Sequence, residues 1–186
     1  SYRLLDSQAE GQDGAFAGVV AGRGADPVDG AWGGHFDAGD WDRRIEHLWY
    51  TRAAVELVDH RAALFGTLDL DLPESGDAVP DLLDEGLWSL DLFRRLQTPG
   101  GAIRGGIEAS EHPQQDNTSW TDDLALFAYA PDAWSTYVYA GVAAEVARVL
   151  ARYDADRAQG YLTSALADMG WAEAQPPDPV HGDALA

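Results

Sequence analysis

The sequence predicts an all-α fold, and three observations carry that expectation. Apolar residues recur at helical spacing in four separate stretches between Trp41 and Met169. One of these, "PDLLDEGLWSLDLFRRLQ", has acidic residues at its beginning and arginines at its end, the polarity that a helix macrodipole favours. Between the stretches lie Gly- and Pro-rich breaks such as "LDLDLPESGDAVP", which stop one helix before the next begins.

Taken in order, residues 1–36 are rich in Gly and lack a sustained 3.6-residue period, so they read as a glycine-punctuated entry region ending in "VDGAWGGHF". From Trp41 the texture changes. Ile45, Leu48, Trp49, Ala53, Val55, Leu57 and Val58 predict a helix to about Arg61, with an apolar face wide enough for contact on two sides and hence mostly interior. After the break at Pro73, Gly76 and Pro80 a second helix follows, with Pro80 in its first turn, Asp81 and Asp84 near its start and Arg94 and Arg95 near its end. The stretch from Thr98 to Ala133 is too long for an idle connection and carries Gly, His, Asn and Trp, which predicts a functional loop containing a short hairpin. Val138, Val142, Val146, Val149 and Leu150 mark a helix over residues 135–153. Ala158, Tyr161, Leu162, Ala165, Leu166 and Met169 mark a last one from Asp156, its expected N-cap. The Pro-rich "EAQPPDPVHGD" is irregular.

With 186 residues the chain is long enough for a single domain with a sizeable core, and 46% apolar residues set it apart from disordered compositions. Its formal charge of −20 repels phosphate, which argues against nucleic acid and anionic membranes as partners, and no apolar run approaches the ~20 residues that span a bilayer. A neutral partner fits better. There is no Cys, so disulfides and thiolate metal sites are excluded. The opening "SYRLLDSQ" has neither an initiator Met nor a basic-then-apolar leader and reads as part of something longer.

The densest chemistry lies in "DGAWGGHFDAGDWDRR", from Asp29 to Arg44. Asp37 and Asp40 stand three apart where the glycine-rich region meets a helix, so one turn brings both carboxylates toward the same point, able to orient a water and remove its proton. The same spacing suits a plainer role, since Asp40 and Asp42 are well placed as helix N-caps. A calcium loop fails on pattern: "DAGDWD" lacks the alternating acids, central Gly and terminal Glu of an EF-hand. No metal or cofactor is expected.

Four blocks in order resemble glycoside hydrolase family 9, the inverting endoglucanase-like family: "GGHFDAGDWDRR", "PESGDAVPDLLDEGLWSLDLFRRLQ", "GGIEASEHP" and "YAPDAWSTYVYAGVAAEVARVL". Together they run from about Gly30 to Trp171. The resemblance implies an (α/α)6 barrel of six helical hairpins acting on β-1,4-linked glucans. Matched by position, Asp40 is the catalytic base and Asp37 holds the nucleophilic water, which suits an inverting mechanism with acid and base ~6.5–9.5 Å apart. The family's general acid is a Glu late in the domain, and no counterpart block occurs here. Twelve helices need roughly 250 residues or more. The chain is therefore expected to be the N-terminal half of a catalytic domain, with residues 1–36 as entry region and 37–186 as helical hairpins. Glu85 is expected in a structural helix, and Glu108 and Glu111 as solvated loop carboxylates.

Sugar binding needs aromatic platforms. His112 and Trp120 lie where the resemblance implies glycone-side contacts, and Trp41 adjoins the tetrad; Trp32, Trp49, Trp88, Trp134 and Trp171 are expected in the core. The implied partners are a β-glucan polysaccharide or oligosaccharide and the remaining half of the catalytic domain, in an extracellular or periplasmic setting. A non-catalytic carbohydrate-binding or degenerate family member is the alternative, and a helical scaffold recruiting a basic protein is a third reading.

Overall fold

The computed structural model describes residues 4–9, 16–36, 42–118 and 121–176. Its helices lie close to where the periodicity puts them. A 3-10 turn, Ile45–His47, leads into α2 (Leu48–His60), followed by the single turn α3 (Ala62–Phe65), α4 (Asp81–Arg95), α5 (Ala133–Leu150) and α6 (Ala155–Glu173); α1 (Phe16–Ala21) is an addition near the start. The last two helices form a tight antiparallel hairpin, and α2 packs on both α4 and α5. Where α2 meets α4 the backbones come close: Thr51 Oγ1 donates to Gly86 O at 2.6 Å, and a Cβ on Gly86 would sit 2.9 Å from that of Ala54. The core between these helices is built from Leu48, Val55, Leu83, Leu87, Leu90, Phe93, Tyr139, Val146 and Tyr161, all fully buried.

Capping follows the backbone. Asp132 caps α5 by accepting from Ser135 N at 2.7 Å, and Asp154 caps α6 by accepting from Arg157 N at 2.9 Å. The expected cap Asp156 lies two residues too late. The chain is extended at Asp154, where its carboxylate faces the open amides, whereas Asp156 is already helical and acts only through the dipole.

An all-α class is not what forms. Five short strands make a mixed sheet: β1 (Leu4–Ser7), β2 (Arg23–Pro27), β3 (Arg43–Arg44), β4 (Gly106–Ala109) and β5 (Leu126–Ala128), in the order β2-β1-β5-β4-β3. β1 and β5 are parallel; the other neighbours are antiparallel. Thus part of the region 1–36 is strand and helix, not loop, and the hairpin expected between Thr98 and Ala133 is β4 with β5. These strands escape a periodicity search for two reasons. They have two to five residues, and β4 and β5 are buried on both faces, so no alternation marks them.

Helix α2 is less interior than expected. Leu48, Thr51, Ala54, Val55 and Val58 are buried, while Trp49 is 68% exposed and Leu57 is 40% exposed. Trp32 and Trp88, expected in the core, are also exposed. An apolar residue at helical spacing identifies a face but not whether anything covers it.

On α6, facing Gln97 just past the end of α4, the fully buried Asp168 accepts from Gln97 Nε2 at 2.7 Å through Oδ1. Burial pushes its carboxyl up to about 6, against the opposing pull of hydrogen bonds with Gln97 and Ser164. Because the folded value lies above the unfolded value of about 3.9, the associated stability is fully present below about pH 4 and is lost as pH rises to about 6. That loss is about 2–3 kcal/mol. The neutral isostere in Asp168→Asn is expected to flatten the protein's fall in Tm between pH 4 and 7 relative to wild type, as read by calorimetry at both pH values. An equal fall in both proteins would show that Asp168 does not titrate in this window.

Candidate functional site

The two aspartates with the strongest chemical claim, Asp37 and Asp40, lie with Trp41 outside the described residues, as does Trp120. What the structure does establish is how the flanks of that segment are held. On the upstream side, His35 is clamped to α4. Its Nδ1 lies 2.7 Å from Ser89 Oγ, its Nε2 lies 2.9 Å from Glu85 Oε1, and its backbone amide donates to the same serine hydroxyl at 3.2 Å. Glu85 and Ser89 are four residues apart on one helical face, which is why a single imidazole reaches both. The ring also meets Tyr50 of α2 edge-on, with centroids 5.1 Å apart. Burial, followed by the charge of Glu85, raises the Tyr50 phenol above its ordinary range.

Two glycines deliver His35 to this position. Gly33 and Gly34 both have left-handed backbone, φ +92° and +78°, and a Cβ at Gly34 would stand 2.4 Å from Leu92 Cδ2. The approach of the loop to α4 therefore requires glycine at 34.

On the downstream side, Asp42 is buried, and its Oδ1 accepts from Ala109 N of β4 at 2.8 Å. The expected cap role at Asp42 gives way to this bond, because the chain runs into β3 and a 3-10 turn before α2 begins. Arg43 Nε donates to Gly33 O at 3.1 Å, and its guanidinium lies 4.4 Å from the Phe36 ring centroid. The flanks are thus tied to each other, to α4 and to the sheet.

Beneath Asp42 lies a buried ionic network. Glu108 of β4 pairs with Arg44 and accepts from the Tyr129 hydroxyl, and Arg44 Nη1 donates to Tyr129 Oη at 2.9 Å. Burial, reinforced by the Glu108 bond, drives the Tyr129 phenol far above its usual value, so it stays protonated as a donor. Glu108 was expected to be a solvated loop carboxylate. It is instead 2% exposed, because the loop containing it folds into the centre of the sheet. Glu85 does lie in a helix, though its carboxylate faces His35 and not the core. Glu111 and His112 are exposed on the loop after β4.

Sequence reasoning missed the His35–Glu85–Ser89 cluster. The only signal was an acid and a hydroxyl four apart on a predicted helix, and nothing local paired them with a residue fifty positions earlier. Among the described residues, no group of three or more His, Asp or Glu is arranged to hold a metal ion, and no helix is long and apolar enough to cross a membrane.

No family model matches the chain. It is 32% identical over 157 residues to endoglucanase C of Cellulomonas fimi, an alignment covering 77% of this chain and 14% of that protein. A metagenome-derived glycoside hydrolase family 9 endoglucanase superposes with a TM-score of 0.77 at 28% identity, covering 93% of this chain and 30% of the other. The glycoside hydrolase family 9 endoglucanase J30 superposes at 0.70 with 30% identity, over 81% of this chain and 29% of its own length. The chain thus spans 14% of its curated relative and about 30% of these solved structures. Over the length that it shares with them, the chain belongs to glycoside hydrolase family 9.

Proposed function

We propose that the chain supplies the water-activating side of an inverting glycoside hydrolase that cleaves β-1,4-linked glucans, cellulose or cello-oligosaccharides, within an (α/α)6 barrel of which these residues are the N-terminal part. Asp40 acts as general base and Asp37 orients the attacking water, while Trp41, His112 and Trp120 contact the sugar. The observation that carries the reading is the 30–32% identity to endoglucanases over 77–81% of the chain. The two-sided anchoring of the flanks of the Asp37–Asp40 tetrad supports it further. A base must be held within a few tenths of an ångström of a productive position to be effective, and His35 on α4 and Asp42 on β4 are the kind of supports that do this. No metal takes part in this scheme.

The general acid on the opposite face of the sugar comes from polypeptide beyond these blocks. Glu108 is committed to Arg44 and Tyr129, and Glu85 to His35. A neutral polysaccharide is also a substrate that a chain of charge −20 does not repel, unlike an anionic one. The setting that fits such a substrate is extracellular or periplasmic.

The test is the stereochemistry of the first product. Proton NMR of cellopentaose hydrolysis by the intact polypeptide is expected to show the α-anomer of the new reducing end appearing before mutarotation. Initial appearance of the β-anomer would rule out direct attack by a base-activated water. Binding of cellopentaose with no release of reducing ends would identify the degenerate, binding-only alternative.

A further inference from the structure

A cavity of about 510 Å³ lies between the 27–33 segment and the sheet, lined by Asp29, Gly30, Trp32 and Arg43 above and by Leu4, Ile107 and Leu126 of β1, β4 and β5 below. Its volume falls in the range of roughly 300–1,000 Å³ typical of small-molecule sites. At its rim stands Trp32, which is 58% exposed yet held firmly. The Arg95 guanidinium stacks 3.6 Å from its ring centroid, Arg95 Nη1 donates to its carbonyl at 3.0 Å, and Trp88 meets it edge-on at 5.7 Å. Arg95 is in turn steadied by Asp91, at 3.8 Å.

A large indole kept in solvent but locked in orientation is an unusual use of an apolar side chain. Exposure forgoes the stabilisation of burial, and the stacked arginine restricts the ring without covering it. Such a ring is preorganised: a ligand that lies against it meets little further loss of rotamer freedom. The ligand must be flat and apolar on one side and polar at its edge, since the cavity offers both the indole and the Asp29 carboxylate as a hydrogen-bond acceptor. It must also carry no negative charge, given the net charge of −20. A β-linked glucose unit, with axial hydrogens on its faces and equatorial hydroxyls around its edge, meets all three demands.

We infer that Trp32, with Asp29 and the cavity beside it, forms a saccharide-binding platform for a glucose unit of a β-1,4-glucan chain, additional to the contacts proposed at Trp41, His112 and Trp120. The inference rests on the reading of the protein as glucan-acting. The platform lies five residues before Asp37, on the loop that the His35 clamp holds to α4. A chain bound there is anchored to the same rigid segment that precedes the tetrad.

The experiment measures cellopentaose binding by calorimetry in the intact polypeptide carrying Asp40→Asn, so that turnover does not consume the ligand. Adding Trp32→Ala is expected to raise Kd about tenfold, whereas Trp32→Phe, which keeps an aromatic face, raises it about threefold or less. Adding Asp29→Asn tests the polar edge without touching the ring and is expected to weaken binding about threefold. Hydroxyl-radical footprinting of Trp32 is expected to show protection by cellopentaose. If the Asp40→Asn protein binds cellopentaose and Trp32→Ala leaves Kd unchanged, the platform is refuted and the glucan-acting reading stands. If the Asp40→Asn protein does not bind it at all, both fail. If Trp32 is already unreactive without ligand, polypeptide covers the ring and the platform is refuted.

Discussion

Asp40→Asn in the intact polypeptide is expected to lower kcat for release of reducing ends from cello-oligosaccharides by about 10²- to 10⁴-fold, the usual contribution of a positioned general base. The substitution is nearly isosteric, so it removes the proton acceptor and little else. KM and the Kd for oligosaccharide should therefore stay close to wild type, and the loss should fall on kcat. Asp37→Asn is expected to cause a large but smaller loss, since an amide still accepts a hydrogen bond from the water it orients. The two rates are measured as reducing sugar released under saturating substrate. Wild-type turnover by Asp40→Asn would remove Asp40 from the base role and reduce the tetrad to a cap.

The second large effect is on stability and concerns the pair beneath that segment. Arg44→Met should destabilise the protein by about 3–5 kcal/mol, because it leaves the Glu108 carboxylate buried without its cation. Glu108 sits in β4 between β3 and β5, where water cannot reach it to compensate. Its remaining bond from Tyr129 then has to hold an ionised group alone. The Arg44→Met, Glu108→Leu double variant should recover much of the loss, since the desolvation cost disappears with both charges. Urea unfolding of the wild type, the single variant and the double variant measures the effect. If the single and double variants lose the same amount, the cost lies in packing and not in the unpaired charge. The structural consequence reaches the site, because β3 and β4 carry the Asp42 bond that anchors the downstream flank.

The long helices α2, α4, α5 and α6 were legible because each buries a stripe that repeats over three or more turns. Leu83, Leu87 and Leu90 on α4, and Val142, Val146, Val149 and Leu150 on α5, all lie where the spacing indicates. The strands were not legible. β4 and β5 lie inside a stretch of Gly, Pro and polar residues, and each owes its conformation to a neighbour distant in sequence. The fate of the acids divides on the same line. Asp81 and Asp84 occur in the first turn of α4 as charge polarity predicts, yet Asp84 is held by Arg157 of α6 at 2.7 Å, a partner 73 residues away. Glu108 looked solvated because a sequence shows a charge but not the cation that folds over it.

The chain's family and its long helices were legible in the order and spacing of residues alone, since motif blocks and a 3.6-residue period are local properties. Only the tertiary structure decided the mixed sheet, the clamp of His35 on Glu85 and Ser89, the buried Arg44–Glu108 pair and the exposure of Trp32. Each of these depends on bringing together groups dozens of residues apart, or on what remains uncovered once that is done. Burial and pairing belong to the folded neighbourhood, and no window of sequence contains it.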